Sequence, residues 1–496
     1  MLLWYWAITA TTVRKMKKFL SLIFGIFGSI VVTSSLFAGV PDVSSTRPAL
    51  KGVEKIYMTS KMSNGLELIT MESHKVPLIT LVLAVKGGAS TESPDTNGLS
   101  HFWEHMFFKG NKRLPTQELF KKRVRQLGIF YNGDTSAELI RYYFTMPSSL
   151  LEEGLQFMAD AISEPLLDEK EVERERGVIL DEYDRNASNP QFDFWKLNQG
   201  LMFGSLMYLR DPLGRRHVIE QASRSQLLDM KNRIFVPANS ALLVVGDVDP
   251  VRLPTLAQKY FGAWRTPEGW AGIVPPEIPS LKKSTEFVMT RKDVRNASVF
   301  CLFRGPRARS QPEDSFAADV LINLLQHQSG KFFKKFVDSG LTFGAELNYL
   351  TQSHAGQLNL FAVTEPQKVR SVKKLLLSEI EEWAKPGYFS KEHLEDIRRN
   401  LLIDHKFQLN KPSSYAKTLA FWWGVTGFDY YDSYLDHLRR VQLTDVQRFV
   451  RNYFIQKPSI VSILLSPEGA KEAGLVDNSQ PLLESVLADY YEKTKK

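Results

Sequence analysis

The strongest constraint on what this chain can fold into is a duplication in its sequence. SQLLDMKNRIF at 225–235 leads through a short polar link into the apolar run ALLVVG, and TDVQRFVRNYF at 444–454 leads in the same way into IVSILL, 219 residues later. Upstream, LVLAVKGGASTESPD at 81–95 is similar to VFCLFRGPRARSQPE at 299–313, at an offset of 218. Two independent matches at nearly one offset mean a duplicated domain pair, since solenoid repeats have periods of only about 20–50 residues. Within each copy, strand-like runs such as LELITM and LITLVLAV mix with amphipathic helical runs such as LLEEGLQFMADAIS and EHLEDIRRNLLIDHKF. This pattern predicts an α+β fold, with helices packed on mainly antiparallel sheets. We expect a first half at 39–261, a Pro- and Gly-rich connector at 262–283 and a second half at 284–496, each half holding two related α/β subdomains.

The amino terminus reads as a leader. MKKFLSLIFGIFGSIVVTSSLFA at 16–38 has a basic start, an apolar stretch and small residues at its end, a secretory signal pattern that places a cleavage after Ala38. Residues 1–15 precede a second methionine and read as an upstream start-site artefact. The expected location is periplasmic or secreted; the alternative is a membrane anchor formed by an uncleaved leader. No later stretch is long and apolar enough to span a bilayer. The net charge of +8 is spread along the chain, with no basic run interleaved with aromatics, so nucleic-acid binding is not expected. The one cysteine, Cys301, lies in an apolar run and reads as a buried strand residue.

Residues 101–110 read HFWEHMFFKG. On a helix, His101, Glu104 and His105 share one face, being three and four residues apart. Ionisable groups among Phe, Trp and Met are costly unless something satisfies them. A satisfied core histidine pair is the bland explanation. With 9 histidines in 496 residues, however, an H-x-x-E-H triplet arises by chance on the order of one time in a hundred. The triplet therefore points to a metal site. The second copy lacks it: at an offset of 218, the equivalents are Asp319, Ile322 and Asn323. Catalytic zinc commonly takes three protein ligands. The charged stretch DEKEVERERGVILDEYDRN at 168–186 offers Glu173, Glu175, Asp181 and Glu182; Glu175 and Glu182 share a helical face, and spacing does not choose among the four.

Five motifs together resemble the pitrilysin/insulinase family of zinc peptidases, which carry the inverted H-x-x-E-H. They are GLSHFWEHMFFKG, YNGDTSAELIRYYF, ERGVILDE, DPLGRR and NSALLVVGDVDP. The chain is most similar to the branch containing mitochondrial processing peptidase and its bacterial relatives. The resemblance implies Zn²⁺ held by His101, His105 and Glu182, with Glu104 as general base and Glu175 as a supporting acid that orients a ligand histidine. It also implies that Asn132 contacts substrate. The implied fold is a clamshell of two halves around a chamber that receives unfolded peptides as an added strand. In one respect the chain departs from the family. Its second half usually carries an arginine and a tyrosine that hold the substrate carbonyl, and these positions become Val337 and Phe343. Such donors are worth ~3–4 kcal/mol. A homologous partner chain that supplies the pair is therefore implied. The alternative is a non-catalytic, zinc-retaining assembly subunit.

Overall fold

The computed structural model describes residues 56–409 and 411–492; the leader expected at 1–38 lies outside them. Six strands of the first half form one sheet. They are β1 (Met58–Lys61), β2 (Glu67–Glu72), β3 (Leu78–Lys86), β4 (Phe130–Thr135), β5 (Leu139–Pro147) and β6 (Ser240–Gly246), in the order β1-β2-β6-β3-β5-β4. The second half supplies β7 (Thr285–Thr290), β8 (Ala297–Arg304), β9 (Gly344–Leu350), β10 (Gln357–Thr364) and β11 (Ser459–Leu465), in the order β7-β11-β8-β10-β9. Removing β1 from the first order gives the second. Each sheet has one parallel pair, β2 with β6 and β7 with β11, and is otherwise antiparallel.

The duplication holds at the level of register. Leu81 pairs with Val244 and Phe144, and 218 residues on Val299 pairs with Ile463 and Ala362. One expectation is corrected. Each half is built on a single sheet, not on two subdomains, because every strand of a half joins one continuous ladder. The two related α/β units are the halves themselves.

Both sheets are covered on both faces, which is why ALLVVG is continuously apolar instead of alternating and IVSILL is broken only by the buried Ser462: all of β6 and β11 is buried. Six helices position the site and join the halves: α1 (Leu99–Phe107), α2 (Glu169–Ala187), α3 (Phe192–Phe203), α4 (Pro312–Gln326), α5 (Pro412–Val425) and α6 (Ser479–Glu492). One face of the first sheet, with Leu81, Leu83, Tyr142 and Phe144, packs against Phe102, Trp103, Met106 and Phe107 of α1. The opposite face, with Val82, Ala84 and Leu243, is covered by α5 of the second half. In return, Phe194, Leu197 and Met202 of α3 pack on Phe287, Leu302 and Ile460 of the second sheet, beside α6. Each half thus lends a helix to the other's sheet. Residues 262–284 form neither helix nor strand. Cys301 is buried on β8, where burial pushes its thiol up to about 12. Among the described residues, no helix is long and apolar enough to cross a membrane.

Candidate metal centre

The site starts with the way α1 begins. Gly98 precedes it at φ +105°, a left-handed conformation that glycine adopts without a Cβ penalty. The first amides of a helix lack intrahelical acceptors. Here the buried Glu92 supplies them: its carboxylate accepts from Gly98 N at 2.9 Å, Ser100 N at 2.7 Å and Asn97 Nδ2 at 3.0 Å. A negative charge at this end also suits the helix dipole. Phe102, Trp103, Met106 and Phe107 then bury one side of α1 in the core, and His101, Glu104 and His105 are left on the side towards α2 and β4.

α2 is capped by Asp168, which accepts from the amides of Lys170 and Glu171. It brings Glu175 and Glu182 to α1. The structure separates the four carboxylates that spacing leaves open. Asp181 is exposed, and Glu173 pairs with Arg176 at the surface. Glu182 Oε2 lies 3.9 Å from His101 Nε2 and 3.5 Å from His105 Nε2, and the two nitrogens are 3.3 Å apart. Glu175 Oε1 lies 2.7 Å from His105 Nδ1, and its other oxygen pairs with Lys109. A carboxylate at Nδ1 holds the proton there and turns the Nε2 lone pair towards His101 and Glu182.

One potential ligand atom from each of His101, His105 and Glu182 thus converges on a common point. A triangle with sides of 3.3, 3.5 and 3.9 Å has a circumradius of about 2.1 Å. Zinc bonds to imidazole nitrogen and carboxylate oxygen are roughly 2.0–2.2 Å long. The donor set and its spacing therefore fit a small divalent cation. The electrostatics agree. Burial opposes a charge on His105, but the Glu175 and Glu182 carboxylates outweigh it and push the ring up to about 9. Burial and the charge of His105 push His101 down, and the hydrogen bond from His105, against burial, pulls Glu182 down.

Glu104 stands beside the triangle. Thr135 Oγ1 donates to its Oε2 at 2.6 Å, and burial pushes the carboxyl up to about 7. Gly133 lies against the same side chain: a Cβ there would sit 2.8 Å from Glu104 Oε1 and 3.0 Å from its Cγ. Gly133, Thr135, Lys109 and Glu92 escape the sequence reading. Only the two-residue step from Gly133 to Thr135, on one face of a strand, hints at a shared role. Asn132 is not brought into this group. It is exposed on the other face of β4, where its Oδ1 accepts from Gly133 N and its side chain meets Tyr143.

The equivalent place in the second half is closed. Asp319 on α4 accepts from Tyr434 Oη at 2.8 Å, and burial pushes its carboxyl up to about 7. Asn323 bonds back to the Asp319 carbonyl. Val337 packs at the edge of the second core, and Phe343 precedes β9 half-exposed.

A duplicated α+β chain with an H-x-x-E-H helix facing a carboxylate helix defines the class of inverted-motif metallopeptidase folds. The chain belongs to peptidase family M16, the insulinase/pitrilysin family. Residues 68–198 match the family model described as "Insulinase (Peptidase family M16)", and residues 221–401 match "Peptidase M16 inactive domain". The uncharacterized zinc protease YmxG of Bacillus subtilis is 22% identical over 412 residues, which are 82% of this chain and 97% of that one. The mitochondrial-processing peptidase subunit beta of Bos taurus is 30% identical over 245 residues, 49% of this chain and 50% of that one. Among solved structures, a protease from Helicobacter pylori superposes with a TM-score of 0.76 at 22% identity, covering 82% of this chain and 99% of its own. The periplasmic protease PqqL from Escherichia coli gives 0.71 at 17% identity, covering 89% of this chain but only 50% of its own. The chain thus spans about half the length of PqqL, and its match to the mitochondrial subunit covers about half of each chain.

Proposed function

We propose that the chain is an exported zinc endopeptidase acting on peptides or unfolded segments. The observation that carries this reading is the convergence of His101, His105 and Glu182 around one point, with Glu104 beside it. The residues divide the work. His101, His105 and Glu182 would hold the ion, and Glu175, backed by Lys109, keeps the His105 tautomer that can ligate. Bound zinc supplies Lewis-acid activation of water. Glu104 accepts the water's proton at Oε1, since Oε2 is engaged by Thr135, and passes it to the leaving amine. Gly133 leaves the room at Oε1 that this transfer needs. The burial of Glu104 favours such a role, because a general base works best with a pKa near the operating pH. Zinc analysis of the purified chain together with a peptide-cleavage assay tests the proposal. One zinc per chain with cleavage is expected; zinc without cleavage would favour the assembly-subunit alternative.

Within α2, Glu182→Gln is expected to weaken zinc binding far more than Asp181→Asn, since Asp181 points to solvent. Competition against a chromogenic chelator measures both, and a reversed order would move the ligand by one position.

The proposal extends to company. Val337 and Phe343 offer no hydrogen-bond donor to a substrate carbonyl, and the chain spans half the length of PqqL. A homologous partner chain would complete the chamber and bring the arginine and tyrosine. The chain alone is then expected to cleave slowly. A family partner with that pair should raise kcat more than it lowers KM, because the donors act mainly on the transition state. Steady-state kinetics with and without the partner decides this; a fully active monomer that no added chain accelerates would refute it.

A further inference from the structure

β4 is the last strand of its sheet, so its outer backbone edge has no strand partner among the described residues. Its side chains alternate between two faces. Gly133 and Thr135 meet Glu104 on the α1 side. Phe130, Asn132 and Asp134 turn to the side that α5 of the second half covers over β3 and β6. Over β4 that cover is partial: Asp134 is buried, whereas Asn132 is exposed and Phe130 is 71% exposed.

Lys417 of α5 stands at the border. Its Nζ lies 3.9 Å from the centroid of the Tyr143 ring, on the strand next to β4. Among the described residues it makes no ion pair. The carboxylate that acts on it, Asp134, is held by Arg141, whose Nε and Nη2 reach Asp134 Oδ1 at 2.9 and 2.8 Å. Arg141 Nη1 in turn donates to the Lys417 carbonyl at 3.0 Å. Two cations and one carboxylate therefore meet at this corner, and one positive charge is left facing an exposed strand edge. A half-buried ammonium that shares one carboxylate with a guanidinium is incompletely neutralised. A peptide strand laid along β4 would send every second side chain to this face, away from His101 and His105.

We propose that Lys417 is a specificity-determining residue that selects an aspartate or glutamate on the face of the bound peptide turned away from the candidate metal site. The inference rests on the peptidase reading and deepens it by naming a substrate class, peptides with an acidic side chain at one fixed position from the cleaved bond.

The test uses a set of otherwise identical fluorogenic peptides in which Glu, Gln or Lys is placed at each position in turn. For the wild type, kcat/KM is expected to favour Glu over Gln at least tenfold at one position. Lys417→Met should bring that ratio close to one, and Lys417→Glu should shift the preference towards Lys. Thermal melting checks that both variants fold. The same peptides are also titrated by fluorescence anisotropy against Glu104→Gln, with and without Lys417→Met. An affinity ratio that Lys417→Met abolishes supports the inference even where turnover is absent, a result that would count against the peptidase reading alone. Equal affinity for Glu and Gln peptides at every position, or a ratio unchanged by Lys417→Met, would overturn the inference.

Discussion

Glu104→Gln is expected to keep fold and zinc content and to lower peptide hydrolysis by roughly 10²–10⁴-fold or more, the usual worth of a positioned proton-transfer group. The geometry explains why so small a change should cost so much. Glutamine fills the same volume between α1 and β4, and its amide oxygen can still accept the hydrogen bond from Thr135. Phe102, Trp103 and Phe107 hold the backbone of α1 regardless. Glu104 also lies outside the triangle of His101, His105 and Glu182, so the metal position is untouched. What disappears is the carboxylate that takes the proton and returns it. Metal analysis and single-turnover cleavage of the same preparation separate the two properties. Near-normal turnover would sink the assignment of Glu104 as base. Lost zinc would show that Glu104 supports the ligands instead.

Much of this architecture is legible in the sequence because it is local or repeated. A helical period of 3.6 puts His101, Glu104 and His105 on one face without any knowledge of tertiary structure, and one offset near 218 ties β3 to β8 and β6 to β11. The pairing of strands is not legible. β6 inserts between β2 and β3 although some 150 residues separate it from them, and no local pattern reports such a contact. That is why local patterns suggest two subdomains per half where one continuous ladder forms. The loan of α5 and α3 between halves is hidden for the same reason.

The site divides along the same line. Asp181 and Glu182 differ by about 100° around a helix, and only the packing of α2 on α1 decides which one meets the histidines. In YNGDTS, neighbouring residues point to opposite faces of β4. Asn132 is the position implied by family resemblance, whereas Gly133 and Thr135 are the residues that touch Glu104. Glu92 carries no sequence signal at all. Its role depends on a turn that folds it back under the first amides of α1.

The joint substitution of His101 and His105 by alanine should remove the metal altogether. Each ring supplies one of three converging atoms, and with both gone Glu182 is a single carboxylate, 25% exposed, with no second ligand opposite it. A lone carboxylate does not hold zinc against water. The fold should survive the change. Glu175 keeps its pair with Lys109, and His101 Nδ1 is a buried atom without a hydrogen-bond partner, so its removal leaves no new orphan behind. The apolar side of α1 stays in the core, and Glu92 still caps its first turn. The expected result is a cooperatively folded chain that, after dialysis against zinc and desalting, carries less than a tenth of the metal of the wild type. Hydrolysis should be absent and should not return when zinc is added back. Element analysis by mass spectrometry reads the first property and the peptide assay the second. Stoichiometric zinc in this double variant would remove the metal site from α1, and with it the proposed roles of Glu104, Glu175 and Glu182.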